Sequence, residues 1–453
     1  MTSTLKGKKT GVLGMARSGI AAANMAHSMG ASVLVSEVRE KKECAAALQQ
    51  LAKGIRHEFG GHSKALLGCD IIVKSPGIHR DITILKKADG LKIPVVSEIE
   101  LASRLITPSS TIAITGTNGK TTTTTLMGEL CKNAGRKTIV AGNIGDPLAA
   151  HVVSITPKTT VVLEVSSYQL EDSPEFHPDI CAILNITPDH IEHHHTMENY
   201  ALAKAKIFGR QSKDDTCVLN YDDPACRKLA RSCPGRVIFF SRKKIASGVY
   251  FYKGRIEVRL PFAQYSLPAK LKIPGMHNIE NAMAAVAMAA AAGIAEQVIK
   301  KTLAEFKGVE HRMEFVAEIN GVRYINDSKG TNVDSTVVAL RSFNKQGVWL
   351  ILGGRDKGAP YKPLEPLIKK NVRGILLIGE AANKIRKELS GSTAFYFTGT
   401  LETAVELAAS LAKRGEIVLL SPACASFDQF KDYEDRGRRF KDIVKKKILS
   451  TQA

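Results

Sequence analysis

The sequence predicts an α/β protein with three domains, each built on a parallel sheet flanked by helices. Short apolar runs rich in β-branched residues alternate with longer helical patterns along the whole chain. A chain of 453 residues also exceeds what one hydrophobic core usually serves. The alternation falls into three blocks, for which we predict domains at residues 1–107, 108–309 and 310–453.

The first block begins with the strand pattern KTGVLG and a helix over residues 18–29, followed by the strands SVLVSE and DIIVKSPG and the segment IPVVSEIELASRL. In the turn GVLGMARSG, Gly11, Gly14 and Gly19 lie between strand and helix, and Glu37 ends the next strand. The turn resembles a dinucleotide-binding turn with altered spacing, which predicts a Rossmann-like domain with a site for a second nucleotide or a pyrophosphate. A purely structural turn is an equally good interpretation.

The second block follows a linker at Pro108-Ser109-Ser110 and opens with TIAITGTNGKTTTTTLMGELCKNAG. An apolar strand, a glycine-containing loop and a helix are the context that a phosphate-binding loop requires. Lys120 would neutralise the outer phosphates, and Thr121 or Thr122 would offer a hydroxyl to Mg²⁺. Ile114 stands where the usual pattern has its first glycine, which indicates a variant loop. The alternative is a glycine turn that binds no ligand.

Two polar residues end later strands of the same block: Glu164 in VVLEVSSYQLE and His190 in LNITPDHIEHHH. Because parallel strands end at one edge of a sheet, we expect both beside the phosphate loop, with Glu164 as a magnesium ligand. The alternative for Glu164 is a solvated residue or helix cap. The histidines at 190 and 193–195 resemble a zinc site, but magnesium chemistry predicts at most one metal ligand among them and places the others on the surface or in loops.

The second block ends in the alanine-rich helix NAMAAVAMAAAAG, which Gly293 stops. The third block begins near His311. Its predicted strands are VRYIND, GVWLILGG, GILLIGE, AFYFTG and EIVLLSPA, separated by helical segments.

Composition excludes some classes of protein. Apolar residues make up 44% of the chain, but no run approaches the roughly 18 residues of a membrane span, and the start MTSTLKGKKTGVLG carries no signal peptide, so we expect a cytoplasmic protein. The net charge of +20 is spread along the chain without interleaved aromatics, which predicts no nucleic-acid partner. The eight cysteines are predicted to be reduced, and Cys226 and Cys233 fit no standard zinc spacing.

Taken together, these segments resemble the Mur ligases of peptidoglycan synthesis over essentially the whole chain. The motifs stand in the family's order: TGTNGKTT, GNIG, LEVSSYQLE, NITPDHIEHH, YALAKAKIF, PGMHNIENAMAA, EHRMEF, INDSKGTN, LGGRDKG and SPACASFDQFKDYEDRG. The resemblance implies three domains: a Rossmann-like domain for the UDP-linked substrate, a central P-loop ATPase-type domain, and a Rossmann-like C-terminal domain that binds the incoming amino acid. It also implies a monomeric enzyme that uses ATP and two Mg²⁺ ions.

The resemblance places the binding residues as follows. The UDP-linked substrate would contact Met15, Ala16, Arg17, Glu37, Arg39, Ser75, Gly77 and Asn143. ATP would contact Gly116, Thr117, Asn118, Gly119, Lys120, Thr121, Thr122, Asn278, Asn281, Arg312 and Asp327. The metal ligands would be Thr121, Glu164, His190 and, if carbamylated by CO₂, Lys204. The residues implied in catalysis are Lys120, Glu164, His190 and Lys204.

The form DSKGTN at residues 327–332 resembles the family members that add D-glutamate to UDP-N-acetylmuramoyl-L-alanine through an acyl phosphate. D-glutamate would then contact Lys329, Thr331, Lys357, Ser426, Phe427 and Tyr433. Cationic and hydroxyl groups are what two carboxylates need. Lys206 competes with Lys204 as the carbamylated lysine. A folylpolyglutamate-type ligase and a phosphate-loop motor stimulated by nucleic acid are the alternative functions.

Overall fold

In a computed structural model, which describes residues 5–143, 145–273, 275–343 and 347–452, the chain folds into α/β layers on separate sheets. The chain divides into two compact units. One comprises Met1–Lys270 with Ile279–Ala304, and the other comprises Leu271–Asn278 with Glu305–Ala453. The first unit contains two sheets and the second contains one. The domain boundaries at residues 107 and 309 stay predictions.

The first sheet is parallel and carries the N-terminal turn at its carboxyl edge. Its strands are β1 (Lys9–Leu13), β2 (Ser32–Ser36), β3 (Arg56–Glu58), β4 (Ile71–Lys74) and β5 (Val95–Val96), in the order β3-β2-β1-β4-β5. Its helices are α1 (Arg17–Ser28), α2 (Ala45–Leu48), α3 (Thr83–Gly90) and α4 (Glu98–Ser103). The helix predicted at 18–29 is therefore confirmed to within one residue at each end.

The second sheet has β6 between β8 and β9. Its strands are β6 (Ser110–Thr115), β7 (Lys137–Gly142), β8 (Thr159–Glu164), β9 (Ile180–Ile183), β10 (Thr216–Asn220), β11 (Arg236–Ser241), β12 (Gly248–Tyr252), β13 (Arg255–Leu260) and β14 (Ala263–Pro268), in the order β14-β13-β12-β11-β10-β9-β6-β8-β7. Its helices are α5 (Lys120–Asn133), α6 (Ser167–Glu171), α7 (Ile191–His194), α8 (Met197–Ala205), α9 (Pro224–Ala230), α10 (Met276–Ala291) and α11 (Glu296–Glu305). β6 begins at Ser110, so the last residue of the predicted linker belongs to a strand.

The third sheet belongs to the second compact unit. Its strands are β15 (Glu314–Ile319), β16 (Val322–Asn326), β17 (Val348–Gly353), β18 (Val372–Ile378), β19 (Ala394–Gly399) and β20 (Ile417–Leu420), in the order β15-β16-β20-β17-β18-β19. Its helices are α12 (Val333–Arg341), α13 (Glu365–Asn371), α14 (Ala382–Glu388), α15 (Leu401–Leu411) and α16 (Tyr433–Gln452). The strands β17 and β20 are buried along their whole length, as expected for a sheet covered on both faces.

The prediction of parallel pairing throughout is wrong at three hairpins. β12 pairs antiparallel with β13, β13 with β14, and β15 with β16. The two-residue turns Lys253-Gly254 and Asn320-Gly321 have positive φ at both positions, which is the geometry that joins antiparallel strands and leaves no room for a crossover helix. Asn-Gly is the strongest short hairpin signal in a sequence, so the second turn was predictable.

Side-chain caps define several helix starts near the sheet edges. Ser97 accepts from the N–H of Glu100 at the start of α4, and Ser166 and Gln169 form a capping box on α6. Asp223 caps α9 directly before Pro224. Such caps satisfy N–H groups that a helix leaves without an internal partner, so short helices can begin beside the carboxyl ends of the strands. Among the described residues, every helix is too short or too polar to span a membrane.

Candidate active site

The loop between β6 and α5 has the backbone geometry of a phosphate-binding loop. Gly116 and Gly119 have φ values of 153° and 86°, which side-chain-bearing residues rarely adopt. A Cβ on Gly119 would lie 2.2 Å from Oδ1 of Asn281, so the loop packs directly against this predicted ATP contact. The backbone N–H groups at the start of α5 are therefore held by a conformation that needs glycine at both positions.

Lys120 and Lys204 converge on this loop. The Nζ of Lys120 donates to the carbonyl oxygens of Gly116 and Thr117 at 2.9 Å each. The Nζ of Lys204, on α8, donates to the same Gly116 oxygen at 2.9 Å. Lys204 is almost fully buried, and burial and the nearby Lys120 hold the pKa of its amine well below the usual value. Two amines thus share one acceptor at the point where phosphate would bind.

Side chains that the sequence did not single out fix the loop in place. Asn118 donates its N–H to Oδ1 of Asn185 and accepts from its Nδ2, at 2.8 and 3.1 Å. The hydroxyl of Thr117 lies 3.2 Å from that of Tyr200, whose pKa is raised by burial to about 12. Asn185 stands in NITPDH directly after β9, so a polar residue after an apolar run was the available signal. These contacts fix the backbone of the loop.

Glu164 ends β8 beside the loop, as the sequence predicts. It pairs in register with Ile114 of β6, and its Oε1 accepts from Nδ2 of Asn143 at 2.8 Å. Its Oε2 is buried with no hydrogen-bond partner among the described residues. A buried carboxylate oxygen without a donor is suited to a cation, so this position fits the predicted magnesium ligand.

His190 caps α7 with a left-handed backbone, at φ 54°. Its Nε2 lies 3.4 Å from Oδ2 of Asp189. Burial and the charges of Lys120 and Lys204 lower the pKa of its imidazole, against the opposing effect of Asp189. A neutral imidazole is the form that binds a metal. The positions of Lys120 and Lys204 thus favour the neutral, metal-binding form of His190.

The expectation that His193 and His194 are surface or loop residues is wrong. Both belong to α7, and both side chains are largely buried against Glu171, at the end of α6. His195 is exposed, as expected. His193 and His194 are buried because residues three and four positions after His190 lie on the inner face of the helix.

Thr121 and Thr122 are buried in the first turn of α5, directly after Lys120. Lys206, the competing candidate for carbamylation, is exposed and donates to the carbonyl oxygen of Glu171 at 2.7 Å. Of the two candidates, Lys204 is the one that contacts the phosphate loop.

In the first sheet, Glu37 organises the predicted UDP contacts. Its carboxylate accepts from the N–H of Met15 at 2.8 Å and from the backbone and guanidinium of Arg39. Burial acts to raise the pKa of Glu37, but the hydrogen bonds from Arg39 and Met15 outweigh it and lower the value to about 2. Ala16 caps α1 next to these groups. A stable carboxylate at this position suits a hydroxyl-bearing ligand such as ribose.

One contact joins this region to the loop after β7. Arg17 donates to the carbonyl oxygen of Gly145 at 2.5 Å, two residues from Asn143, which holds Glu164. The buried hydroxyl of Ser75 has no partner among the described residues, and Gly77 is exposed with open space around its Cα. Arg17 therefore contacts the loop whose Asn143 holds the metal candidate Glu164, within the first compact unit.

The second compact unit contains the remaining predicted contacts, including Asn278. Asp327 accepts from the N–H of Met313 at 3.2 Å and from the hydroxyl of Ser421 at 2.7 Å. Burial raises the pKa of Asp327 to about 6, against the opposing charge of Arg312. The Nε of Arg312 is buried without a partner in the described ranges. The structure thus places Arg312 close enough to Asp327 to act on its charge, and the contact of both residues with ATP stays a prediction.

The predicted D-glutamate contacts are assembled around a residue that the sequence did not indicate, Arg436. Its guanidinium lies in the core and donates to Oγ and O of Ser328 and to the carbonyl oxygens of Cys424 and Ala425. The DSKGTN and SPACASF motifs are thereby joined. The contacts they carry are the buried Ser426, the exposed Phe427 and Lys357, Lys329 over the ring of Tyr433, and Thr331.

A phosphate-binding loop with a buried carboxylate beside it is typical of enzymes that use ATP. Three family models match the chain: the Mur ligase MurD-like N-terminal domain at residues 8–97, the Mur ligase middle domain at 114–289, and the Mur ligase glutamate ligase domain at 311–424. The chain belongs to the Mur ligase family. The predicted fold class and family are confirmed.

Among its relatives are proteins named UDP-N-acetylmuramoylalanine--D-glutamate ligase. The one from Elusimicrobium minutum is 46% identical over 455 residues, covering 98% of this chain and 99% of its own. The one from Koribacter versatilis is 44% identical over 447 residues, covering 98% of each. The solved MurC from Thermotoga maritima superposes with a TM-score of 0.60 at 21% identity, covering 97% of this chain and 100% of its own, and so shares the fold.

Proposed function

We propose that this chain joins D-glutamate to UDP-N-acetylmuramoyl-L-alanine at the expense of ATP, in peptidoglycan precursor synthesis. The observation that carries the proposal is the loop at residues 116–119, where two lysines converge beside a buried carboxylate. The full-length similarity to D-glutamate ligases supports the choice of substrates. A cytoplasmic location, where ATP is made, a monomeric state and the lack of a nucleic-acid partner belong to the same proposal.

The chemistry requires an activated carboxyl group, because a carboxylate oxygen is a poor leaving group. The carboxylate of the UDP-linked substrate attacks the γ-phosphorus of ATP, the bond to ADP breaks, and an acyl phosphate forms. The amine of D-glutamate then attacks the acyl carbon, loses a proton, and inorganic phosphate leaves with the electrons of the C–O bond. Lys120 and the backbone N–H groups of the loop stabilise the negative charge that develops on the phosphoryl oxygens.

Mur ligases use ATP together with Mg²⁺. In this chain Thr121, Glu164 and His190 would hold the ion, and it would neutralise charge on the transferred phosphoryl group. The buried Oε2 of Glu164, which no described group donates to, supports this assignment. A second Mg²⁺ ion requires a further anion near the loop.

We propose carbamylated Lys204 as that anion. The neutral amine adds to CO₂, forming an N–C bond and releasing one proton, and the product is a carbamate with one negative charge. The carbamate nitrogen keeps one N–H, so it can still donate to the Gly116 oxygen that Lys204 contacts at 2.9 Å. The negative charge of the carbamate would attract Lys120, whereas an ammonium at position 204 would repel it.

An amino-acid specificity assay tests the proposal. Purified protein with ATP and Mg²⁺ should release phosphate when UDP-N-acetylmuramoyl-L-alanine and D-glutamate are both present, and should form the corresponding amide. Turnover with L-lysine or meso-diaminopimelate in place of D-glutamate would reject the assignment. Failure to bind UDP would instead indicate a folylpolyglutamate-type ligase, and salt-sensitive stimulation of ATP hydrolysis by DNA would indicate a nucleic-acid motor.

A further inference from the structure

Glu171, His193 and His194 form a cluster that the proposed reaction does not use. Glu171 ends α6, and the two histidines end α7. The Nε2 of His193 lies 2.7 Å from Oε2 of Glu171, and the Nδ1 of His194 lies 3.0 Å from Oε1. One ligand atom from each residue falls within 4.8 Å of the others. We name these three residues the His-Glu cluster.

The ring nitrogens that face away from Glu171 have partners of their own. The Nε2 of His194 lies 3.0 Å from the hydroxyl of Ser167, and the Nδ1 of His193 lies 3.4 Å from Nδ1 of His79. At 2.7 and 3.0 Å the inner nitrogens donate N–H to the carboxylate. If each proton moves to the outward nitrogen, where a partner is present, the lone pair of the inner nitrogen becomes available to an ion. Metal-binding histidines are oriented in this way, because a hydrogen bond at the far nitrogen fixes the tautomer and the plane of the ring.

The carboxylate of Glu171 faces the inner nitrogens of both histidines and could bind the same ion. Lys206 contacts the carbonyl oxygen of Glu171 at 2.7 Å, and the histidines contact its carboxylate oxygens. Atoms bound to one tetrahedral ion at about 2.0–2.2 Å lie about 3.3 Å apart. The present separations of 2.7 and 3.0 Å reach that spacing with small side-chain movements.

Solvent reaches the cluster from one side. A cavity of about 620 Å³ between the first and second sheets is lined by all three residues of the His-Glu cluster, together with Asp81 and Asn199. Three protein ligands with a fourth position open to water form a common zinc arrangement, and two histidines with one glutamate are an established ligand set. Oxygen-rich sites favour Mg²⁺, whereas imidazole favours zinc-type ions.

We propose that the His-Glu cluster binds a zinc-type divalent transition-metal ion, at a site separate from the predicted magnesium ligands. The ring of Tyr168 lies between the two sites, with its centroid 5.0 Å from that of His190 and 4.3 Å from that of His193. The ion would fix the end of α6 against α7, the helix that begins at His190. It would therefore hold the position of a residue in the proposed active site.

Co²⁺ titration of the full chain in millimolar Mg²⁺ tests the proposal. We expect one Co²⁺ per chain, with visible absorption bands of a four- or five-coordinate ion and displacement by Zn²⁺. The variant His193→Gln should weaken Co²⁺ binding by about 100-fold, because a ligand is removed. The matched control is His195→Asn, since His195 is the exposed neighbour and asparagine tolerates its positive φ. This control should bind Co²⁺ as the unaltered chain does.

Thermal stability gives a readout independent of activity. Zn²⁺ should raise the Tm of the unaltered chain and of His195→Asn, but not that of Glu171→Gln. If His193→Gln does not fold by circular dichroism, Ser167→Ala keeps all three ligands and should weaken Co²⁺ binding by about 10-fold. Equal affinity in the cluster variants and the unaltered chain would overturn the proposal. Loss of the Co²⁺ spectrum in His190→Asn alone would also overturn it, because the ion would then occupy the predicted magnesium site.

Discussion

Lys120 and Lys204 donate hydrogen bonds to the same carbonyl oxygen, that of Gly116, at 2.9 Å each. One comes from the first residue of α5 and the other from the buried face of α8, 84 positions further along the chain. Two ammonium groups on one acceptor repel each other, and the pKa of Lys204 is accordingly lowered by burial and by the charge of Lys120. Lys120 is therefore the cation that the loop offers to a phosphate group.

Replacement of Lys120 by alanine should abolish ligation while the fold is retained. We expect kcat to fall by about 1,000-fold or more, because the cation next to the transferred phosphoryl group is lost. The matched control is Lys132→Ala, an exposed lysine in the last turn of the same helix, which should keep its kcat. Phosphate release and far-UV circular dichroism measure both effects. Unaltered turnover in Lys120→Ala would remove this residue from the site.

A comparison of Gly119→Ala with Gly135→Ala distinguishes the effect of backbone strain alone from the effect of a clash inside the phosphate loop. Both glycines have positive φ, 86° and 76°, at the two ends of α5, so each alanine costs about 1 kcal/mol. A Cβ at position 119 also meets Asn281 at 2.2 Å, whereas one at position 135 meets nothing within 4 Å. We expect Gly119→Ala to raise the Kd for ATP by about 100-fold and Gly135→Ala to leave it unchanged, by calorimetry. Equal effects on the two Kd values would contradict the proposed loop.

Activity should depend on dissolved CO₂ through Lys204. In buffer depleted of CO₂ we expect the rate to fall by about 100-fold and to recover when bicarbonate is added, because the second metal loses its anionic ligand. Lys206→Ala should behave as the unaltered chain, since Lys206 is exposed and contacts Glu171. A rate independent of CO₂ would exclude carbamylation from the mechanism.

Glu98 should make the stability of the first compact unit depend on pH. Burial raises the pKa of its carboxyl from 4.5 to about 7, against a hydrogen bond from the N–H of Ala149. The folded state therefore binds this proton more tightly than the unfolded state does. The contribution of the Glu98 proton to the free energy of unfolding is fully present below pH 4.5. It is lost as the pH rises to about 7, which lowers the free energy of unfolding by about 3 kcal/mol.

Glu98→Gln tests this dependence because glutamine keeps an acceptor for Ala149 and does not titrate. The Tm of the variant relative to the unaltered chain should rise between about pH 5 and pH 7 and then level off. A Tm difference that stays constant over this range would show that Glu98 does not titrate there.

Local sequence patterns predicted those parts of the candidate site that come from one continuous segment of the chain. The strand, loop and helix around Lys120 follow from an apolar run, glycines and a helical pattern, and Glu164 follows from its place at the end of a buried strand. Asn185 and Arg436 were missed because their roles come from distant partners. An arginine in a charged helix is ordinarily solvated, so nothing local indicates that the guanidinium of Arg436 lies in the core.

At the hairpins, the local turn signal was present in the sequence but the surrounding pattern outweighed it. Asn320-Gly321 carried a local signal for an antiparallel turn, but the surrounding alternation of strands and helices suggested parallel pairing. Lys253-Gly254 carried a weaker signal, because lysine rarely adopts positive φ. The burial of His193 and His194 depended on the position of Glu171, 22 residues earlier than His193, which sequence spacing does not supply.

The core position of Arg436 makes the C-terminal helix part of the region that we propose binds the amino acid. Its removal would leave the carbonyl oxygens of Ser328, Cys424 and Ala425 without their shared donor. Proteolytic trimming that stops beyond Val444 would spare this donor and the buried Phe440, whereas a cut before Tyr433 would detach the DSKGTN loop from the segment that faces it. Truncation within the last helix should therefore reduce the specificity of the proposed ligase for its amino acid.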